Sequence, residues 1–572
     1  MRRPTSSHAR PSDHPLLPEL GRQLAQGLIG RREFVRFAAL LGVPAARAYA
    51  LAGLGAEPIA QSPFPRADPR ARSGGILRIG QMVARMFDPA TYAWTEMSNQ
   101  TRPICECLTM LGPDNVVRPW LLESWQPSAD LTLWTLRLRP GVIWHNGEPL
   151  QAQHVAWNIR RWLDPALGSS NLGLSTFAAL TELTRDAQAR GGYRRRALPD
   201  AVEVPDAQTL RLHLAAPVLS VAEDFAEYPT HILHPSFEPP FSKNPLGTGP
   251  YTLAQLRVAE RCILRRVRET TTGRPFRYWG GEVYLDELHF YHFEQENQTA
   301  ALASGGIDLI YELNVDQLEL AASLPDTHID SVESAQTLCL RMQVDAAPFN
   351  DIRVRQAIVK AADNAAITRL VFGEHATVAG NFHVAPIHPE YFALPVPVRD
   401  VAGARRLLRQ AGHTQGLDIT VAVGNNDGPW HQAICEALRD QLLDAGMRLH
   451  VNVLPPTKYW EVWNKVPFGA TSWSHRPLGT MVLSQAYRTG ASWNETHFSD
   501  PAFDQALLEA EAMLDPLRRR ARMQRVEELL RAAAVMVQPL WRPVFGLRTQ
   551  RVHGYRPHPA RQMQLTRVWM SR

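Results

Sequence analysis

The sequence predicts a mixed α/β fold in which sheets are covered by helices. Two observations carry this: segments of period-two alternation intermingle with amphipathic helical segments along the chain, and there are no tandem repeats. The first strand is Gly75-Ile76-Leu77-Arg78-Ile79-Gly80. Between Leu131 and Trp144 apolar and polar residues alternate, giving a half-buried strand that ends in the turn Pro140-Gly141. Gln151 to Leu163 forms a helix with Val155, Ile159 and Trp162 on one face. Residues 184–201, rich in Arg, Gly and Ala, read as a surface excursion, and residues 207–215 as another strand. Asp351 to Phe372 reads as a helix. Val401 to Ala411 reads as a second, with Asp400 as its N-cap and Gly412 as its stop. A helix over 429–445 precedes a strand at 448–453, and long amphipathic helices fill 501–534.

At 572 residues the chain has room for more than one core. No run of about 20 apolar residues reads as a membrane-spanning helix. The formal net charge of +5 resides in residues 1–50, which hold eight Arg and three acids; the rest of the chain is balanced. The basic character thus belongs to the leader, which removes the electrostatic case for a nucleic-acid partner. The five cysteines form no metal pattern and no disulfide framework; each reads as a small buried hydrophobe.

Residues 30–37 read Gly-Arg-Arg-Glu-Phe-Val-Arg-Phe, followed by a weakly apolar stretch from Ala38 to Leu54. Small residues at 48–50 and 55–56 offer cleavage sites. Residues 1–56 therefore resemble a twin-arginine export signal, with Arg31 and Arg32 as the pair and Phe34 at the usual apolar position. Residues 57–74 read as a linker. No Cys follows the apolar stretch, so a lipid anchor is not expected, and the product should be a soluble periplasmic protein.

An ordered set of motifs carries a family resemblance. It begins with Arg118-Pro119-Trp120-Leu121-Leu122-Glu123-Ser124-Trp125 and continues through Asp130, Trp134 to Arg139, Trp144-His145-Asn146-Gly147 and Ala152-Gln153-His154-Val155. His154 stands where the family usually has Asp. Then come Gly247-Thr248-Gly249-Pro250-Tyr251, Tyr284 to Leu288, Pro348 to Ala357, Ala404 to Gly412, and Gln538-Pro539-Leu540-Trp541 leading to Gly554-Tyr555. Together these resemble the extracellular solute-binding proteins of family 5, the dipeptide-, oligopeptide- and nickel-binding proteins of ABC importers. The resemblance implies a two-lobed periplasmic-binding-protein fold with a hinge, of the large three-subdomain, peptide-binding type. Residues 75–335 and 540–572 would form lobe I, and 336–539 lobe II. Gly247 and Gly249, Trp125, Trp134 and Trp144 read as structural, and Arg353 and Arg355 as a solvated or ion-paired helix face.

A binding protein that closes on a peptide must pair the ligand's charges, because an unpaired buried ion is costly. The segment Val421 to Trp430 runs from a strand through a turn into a helix. In peptide-binding relatives an Asp near this place holds the ligand's amino terminus, which makes Asp427 the candidate for that role, with Asn425 in the same turn. In Trp473-Ser474-His475-Arg476, relatives usually have Trp, a small residue and Asp-Tyr. Here His475 and Arg476 stand instead, and Arg476 could pair with a ligand carboxylate. Trp430, Trp473 and Trp493 are candidate cavity walls. Trp94 and Glu96 are candidates from the opposite lobe, and Asn381, Phe382 and His383 lie in a loop that could approach the cleft. There is no Gly-x-Ser-x-Gly or His-Glu-x-x-His motif, so no enzyme is expected. The expected partners are a peptide or peptide-like ligand and an inner-membrane ABC permease. No cofactor and no metal are expected, and the protein should be monomeric. The alternatives are the same fold binding a nickel chelate, haem, an opine or another small polar ligand, or serving as a sensor partner.

Overall fold

A computed structural model describes residues 14–54, 68–185, 193–491 and 493–572. The chain folds around one long sheet that runs through two lobes. Along its main path, from one edge to the other, the order is Tyr251–Arg257, Arg261–Arg266, Glu287–Tyr291, Ile76–Gly80, Leu309–Leu313, Leu540–Thr549, Thr327–Met342, Phe468–Trp473, Leu417–Val423, Met447–Val453. Ile76–Gly80 pairs in parallel with Glu287–Tyr291 and with Leu309–Leu313, and Leu417–Val423 in parallel with both of its neighbours. Two long antiparallel strands join the halves. Thr327–Met342 pairs with Leu540–Thr549 along its first part and with Phe468–Trp473 along its last. Its sequence records the crossing: the first seven residues are exposed or half-buried, the last nine all buried. A separate four-stranded sheet, Leu122–Pro127, Leu133–Leu138, Thr209–His213 and Val202–Asp206, packs against the helix Ala152–Trp162.

Most elements follow from local sequence. Asp400 caps Val401–Gln410 through Gly403 N at 2.7 Å, as its position predicts. Trp125, Trp134 and Trp144 are core, and all five cysteines are free and buried. Gly247 and Gly249 lie against the backbone carbonyls of Ile104 and Pro103, where a β-carbon would clash. Three expectations change. The single helix over 351–372 is two, Ile352–Ala361 and Asn364–Phe372, because Asp363 breaks the run and caps the second by accepting from Ala366 N. Part of the excursion at 184–201 is a hairpin of Thr181–Arg185 and Tyr193–Ala197; residues 186–192 lie outside the described residues. Arg353 pairs with Asp351 as expected, but Arg355 is buried and donates to the carbonyls of Phe349 and Ala533.

The leader is not a separate arm. It forms the helices Leu17–Ala25, Arg31–Leu40 and Ala45–Leu51, whose apolar faces join the core around Val116, Leu121 and Trp125. Polar contacts tie it to distant parts of the chain. Tyr49 donates to Asp114 at 2.5 Å, Arg36 to Ile387 O at 2.6 Å, and Gln23 to Asp515 at 2.8 Å, while Glu33 pairs with Arg520. Arg31 and Arg32 open the second helix and stay exposed. Of the expected linker, residues 57–67 lie outside the described residues.

One buried carboxyl gives the fold a pH dependence. Glu527, on the helix Pro516–Ala533, is fully buried; Oε1 accepts from Phe392 N at 3.4 Å and Oε2 has no partner. Burial pushes it up to about 9, with Glu390 adding to the rise. The folded state therefore binds a proton that the unfolded chain releases near pH 4.3, and stability falls as pH rises between these values, by at most about 1.4 kcal/mol per unit. Glu527→Gln should raise the melting temperature at pH 8 by several degrees and leave it nearly unchanged at pH 4.5; calorimetry at the two pH values checks this.

Candidate functional site

The candidate site lies where the C-terminal ends of Leu417–Val423 and Phe468–Trp473 face the segment after Leu540–Thr549. Asn425 sits in the turn with φ +48°, a backbone state that Asn tolerates, and its side chain binds Gln432 on the following helix. That turn presents Asp427. Trp430 opens the helix Trp430–Leu443 and donates Nε1–H to the Asp427 carbonyl at 2.8 Å, which fixes the turn against the helix.

The Asp427 carboxylate meets Arg561 at 3.0 Å. The same guanidinium reaches Glu312 at 2.9 Å, Glu96 at 3.9 Å and the Ser474 hydroxyl at 3.1 Å. Arg542 also pairs with Glu312 and lies over the Trp430 ring at 5.2 Å. Three carboxylates thus share two guanidiniums, a formal charge of −1. Burial would raise the Asp427 carboxyl, but the guanidinium of Arg561 above all, with that of Arg542, holds it well below the usual carboxylate range. His431, 3.9 Å from Asp427, is pushed down to about 4 by burial, and neither ring nitrogen has a hydrogen-bond partner. It is neutral at pH 7 and leaves the negative balance unchanged.

A second contact joins the halves beside this cluster. Arg476 pairs with Glu227 at 3.3 Å, donates to Gln485 at 3.1 Å and lies 5.8 Å from the centre of the Tyr228 ring. Burial raises the Glu227 carboxyl, and Arg476 opposes that rise. His475 Nδ1 accepts from Ala335 N at 3.1 Å, so the proton sits on Nε2, which donates to Asn115 Oδ1 at 2.9 Å. Burial, with the nearby charges, keeps this imidazole neutral.

The remaining candidates divide. Glu96 belongs to the cluster and accepts from the Tyr311 hydroxyl at 2.5 Å. Trp473 is buried, donates to Glu495 at 2.9 Å and packs edge-on against half-buried Trp493. Trp94 is 42% exposed. Asn381, Phe382 and His383 are buried; Asn381 accepts from Gln538 N, and His383 stacks on Trp541. Sequence reasoning missed Arg561, Glu312, Arg542 and Glu227. For two of them a signal was present: Glu312 interrupts the apolar strand Leu309–Leu313, and Arg542 the apolar run 540–547 of the strand Leu540–Thr549.

Two lobes joined by paired strands frame this charged cluster. The chain belongs to the bacterial extracellular solute-binding proteins, family 5, whose model matches residues 116–495. It is 25% identical to the dipeptide-binding protein DppE of Bacillus subtilis over 515 residues, covering 84% of this chain and 89% of the relative. The fold is similar to that of the periplasmic binding protein DppA from Helicobacter pylori in complex with the peptide STSA, with TM-score 0.74, 20% identity and coverage of 88% and 99%. It is equally similar to that of the murein tripeptide binding protein MppA of Escherichia coli, with TM-score 0.74, 21% identity and the same coverage.

Proposed function

We propose that this solute-binding protein captures a peptide or peptide-like solute carrying an ammonium group and delivers it to an ABC permease of the inner membrane. The observation that carries this reading is the Asp427–Arg561 pair. Asp427 faces a guanidinium supplied by the chain itself, in a cluster with one carboxylate in excess. A ligand ammonium would take over Asp427 while Arg561 stays on Glu312, and would neutralise the excess charge of a closed, water-poor site. Lobe I then comprises residues 75–335 and 540–572, and lobe II residues 336–539; the crossing strands between them are the natural hinge. Export by the twin-arginine route to the periplasm is supported by the exposed Arg31-Arg32 pair and the apolar stretch after it. The protein works as a monomer, without catalysis and without a cofactor.

Asp427→Ala should weaken binding of a cationic di- or tripeptide by about 2–5 kcal/mol, because it leaves the ammonium buried and unpaired. Isothermal calorimetry reads this directly; unchanged affinity would remove Asp427 from the ligand. A second reading, a small polar ligand that is not an ordinary peptide, is favoured by His475 and Arg476, which stand where relatives usually carry Asp-Tyr. The pairing of Arg476 with Glu227 offers a site for a ligand acid once that pair opens.

A further inference from the structure

Away from the cleft cluster, between residues 102–120 and the C-terminal segment 554–569, lies a cavity of about 460 Å³. Its size falls within the range of small-molecule sites, roughly 300–1,000 Å³. One side is apolar, with Met110, Met563, Leu565 and Trp569 in the wall. The charged groups in the wall are unequal: Arg70, Arg102, Arg556 and Arg567 against Asp68 and Glu106.

Both acids are already engaged. Asp68 pairs with Arg70 at 3.0 Å. Glu106 accepts four hydrogen bonds, from Trp120, Tyr278, Thr248 and Trp279, at 2.5–2.8 Å. Arg567 donates only to the carbonyls of Gly280 and Glu282, at 2.9 Å each. Arg102 donates to Ser98 Oγ at 3.3 Å and Cys107 Sγ at 3.7 Å, and its Nε has no partner. Among the described residues, neither has a carboxylate at ion-pair distance. Tyr284, also in the wall, is 6% exposed, and its hydroxyl has no partner.

A wall in which the guanidiniums of Arg102 and Arg567 face no carboxylate among the described residues and the buried Tyr284 hydroxyl has no partner calls for an anion, and the apolar side calls for a hydrocarbon body. We propose that this cavity is a second ligand site, separate from the cleft, that takes an amphipathic carboxylate. Arg102 and Tyr284 hold the carboxylate, and Met110, Met563 and Leu565 pack on the chain.

The test is calorimetric titration of the full-length protein with dodecanoate, with dodecylamine as the charge-reversed control. Dodecanoate should bind at micromolar to low-millimolar concentration and dodecylamine should not bind. Arg102→Met should weaken dodecanoate at least tenfold. Met563→Trp, which fills the cavity, should abolish binding, and Tyr284→Phe, which removes only the hydroxyl, should weaken it several-fold. A thermal melt establishes that each variant is folded; if Arg102→Met does not fold, the other two decide. Absence of dodecanoate binding, equal binding of the amine, or unchanged affinity in the folded variants would overturn the assignment.

Discussion

Arg561→Met should destabilise the ligand-free protein by about 3–5 kcal/mol, the usual cost of leaving buried charges without their partner. The guanidinium stands 2.9 Å from Glu312, 3.0 Å from Asp427 and 3.9 Å from Glu96. Without it, Arg542 is left to compensate three acids. The pH dependence gives the effect a signature. In the native protein Asp427 is held below its ordinary value, so its contribution is complete above about pH 4 and is lost as pH falls through the lowered folded value. In the variant that depression is relieved and the acids can take up protons. The stability gap should therefore be largest near pH 7 and shrink towards pH 4. Differential scanning calorimetry across this range reads both features. A variant that melts within a degree of the native protein at pH 7 would show that the cluster does not hold the halves together.

Glu495→Ala should cost a comparable amount by the same mechanism, in one lobe alone. Glu495 accepts from Arg341 at 2.8 Å, from the Thr471 hydroxyl at 2.6 Å and from Trp473 Nε1 at 2.9 Å. The side chains of Arg341 and Glu495 are 1% and 3% exposed. Removing the carboxylate strands a buried guanidinium and an indole N–H, at about 3–5 kcal/mol. Trp473 borders the candidate site, so the loss should also shift its fluorescence. Denaturant unfolding followed at the tryptophan emission measures both. Glu495→Gln, which keeps an acceptor for the indole, should lose less stability and leave the emission nearer to that of the native protein.

The fold was legible where local chemistry decides it. Asp400 and Gly412 bracket a helix because a side-chain acceptor and a left-handed glycine satisfy its ends. The alternation at 133–138 and the motif order around Trp125, Trp134 and Trp144 gave the satellite sheet and its core. What was not legible depends on long-range approach. Nothing near Asp427 in the sequence announces Arg561, 134 residues away. Arg476 was legible as an unusual residue in its motif, but its partner Glu227 lies far away in the sequence. The apolar stretch after Arg32 reads as part of an export signal, and the same apolarity lets it pack beside Trp125. Periodicity shows that a face is apolar and leaves open what covers it.

A solute held between the two lobes should travel with the purified protein. Native mass spectrometry of the mature protein, purified from its own cells after export, tests this most directly. An adduct of defined mass is expected, released on unfolding, carrying an ammonium group and displaced by competing peptides. A bare polypeptide mass, unchanged after incubation with a mixed pool of di- and tripeptides, would contradict it.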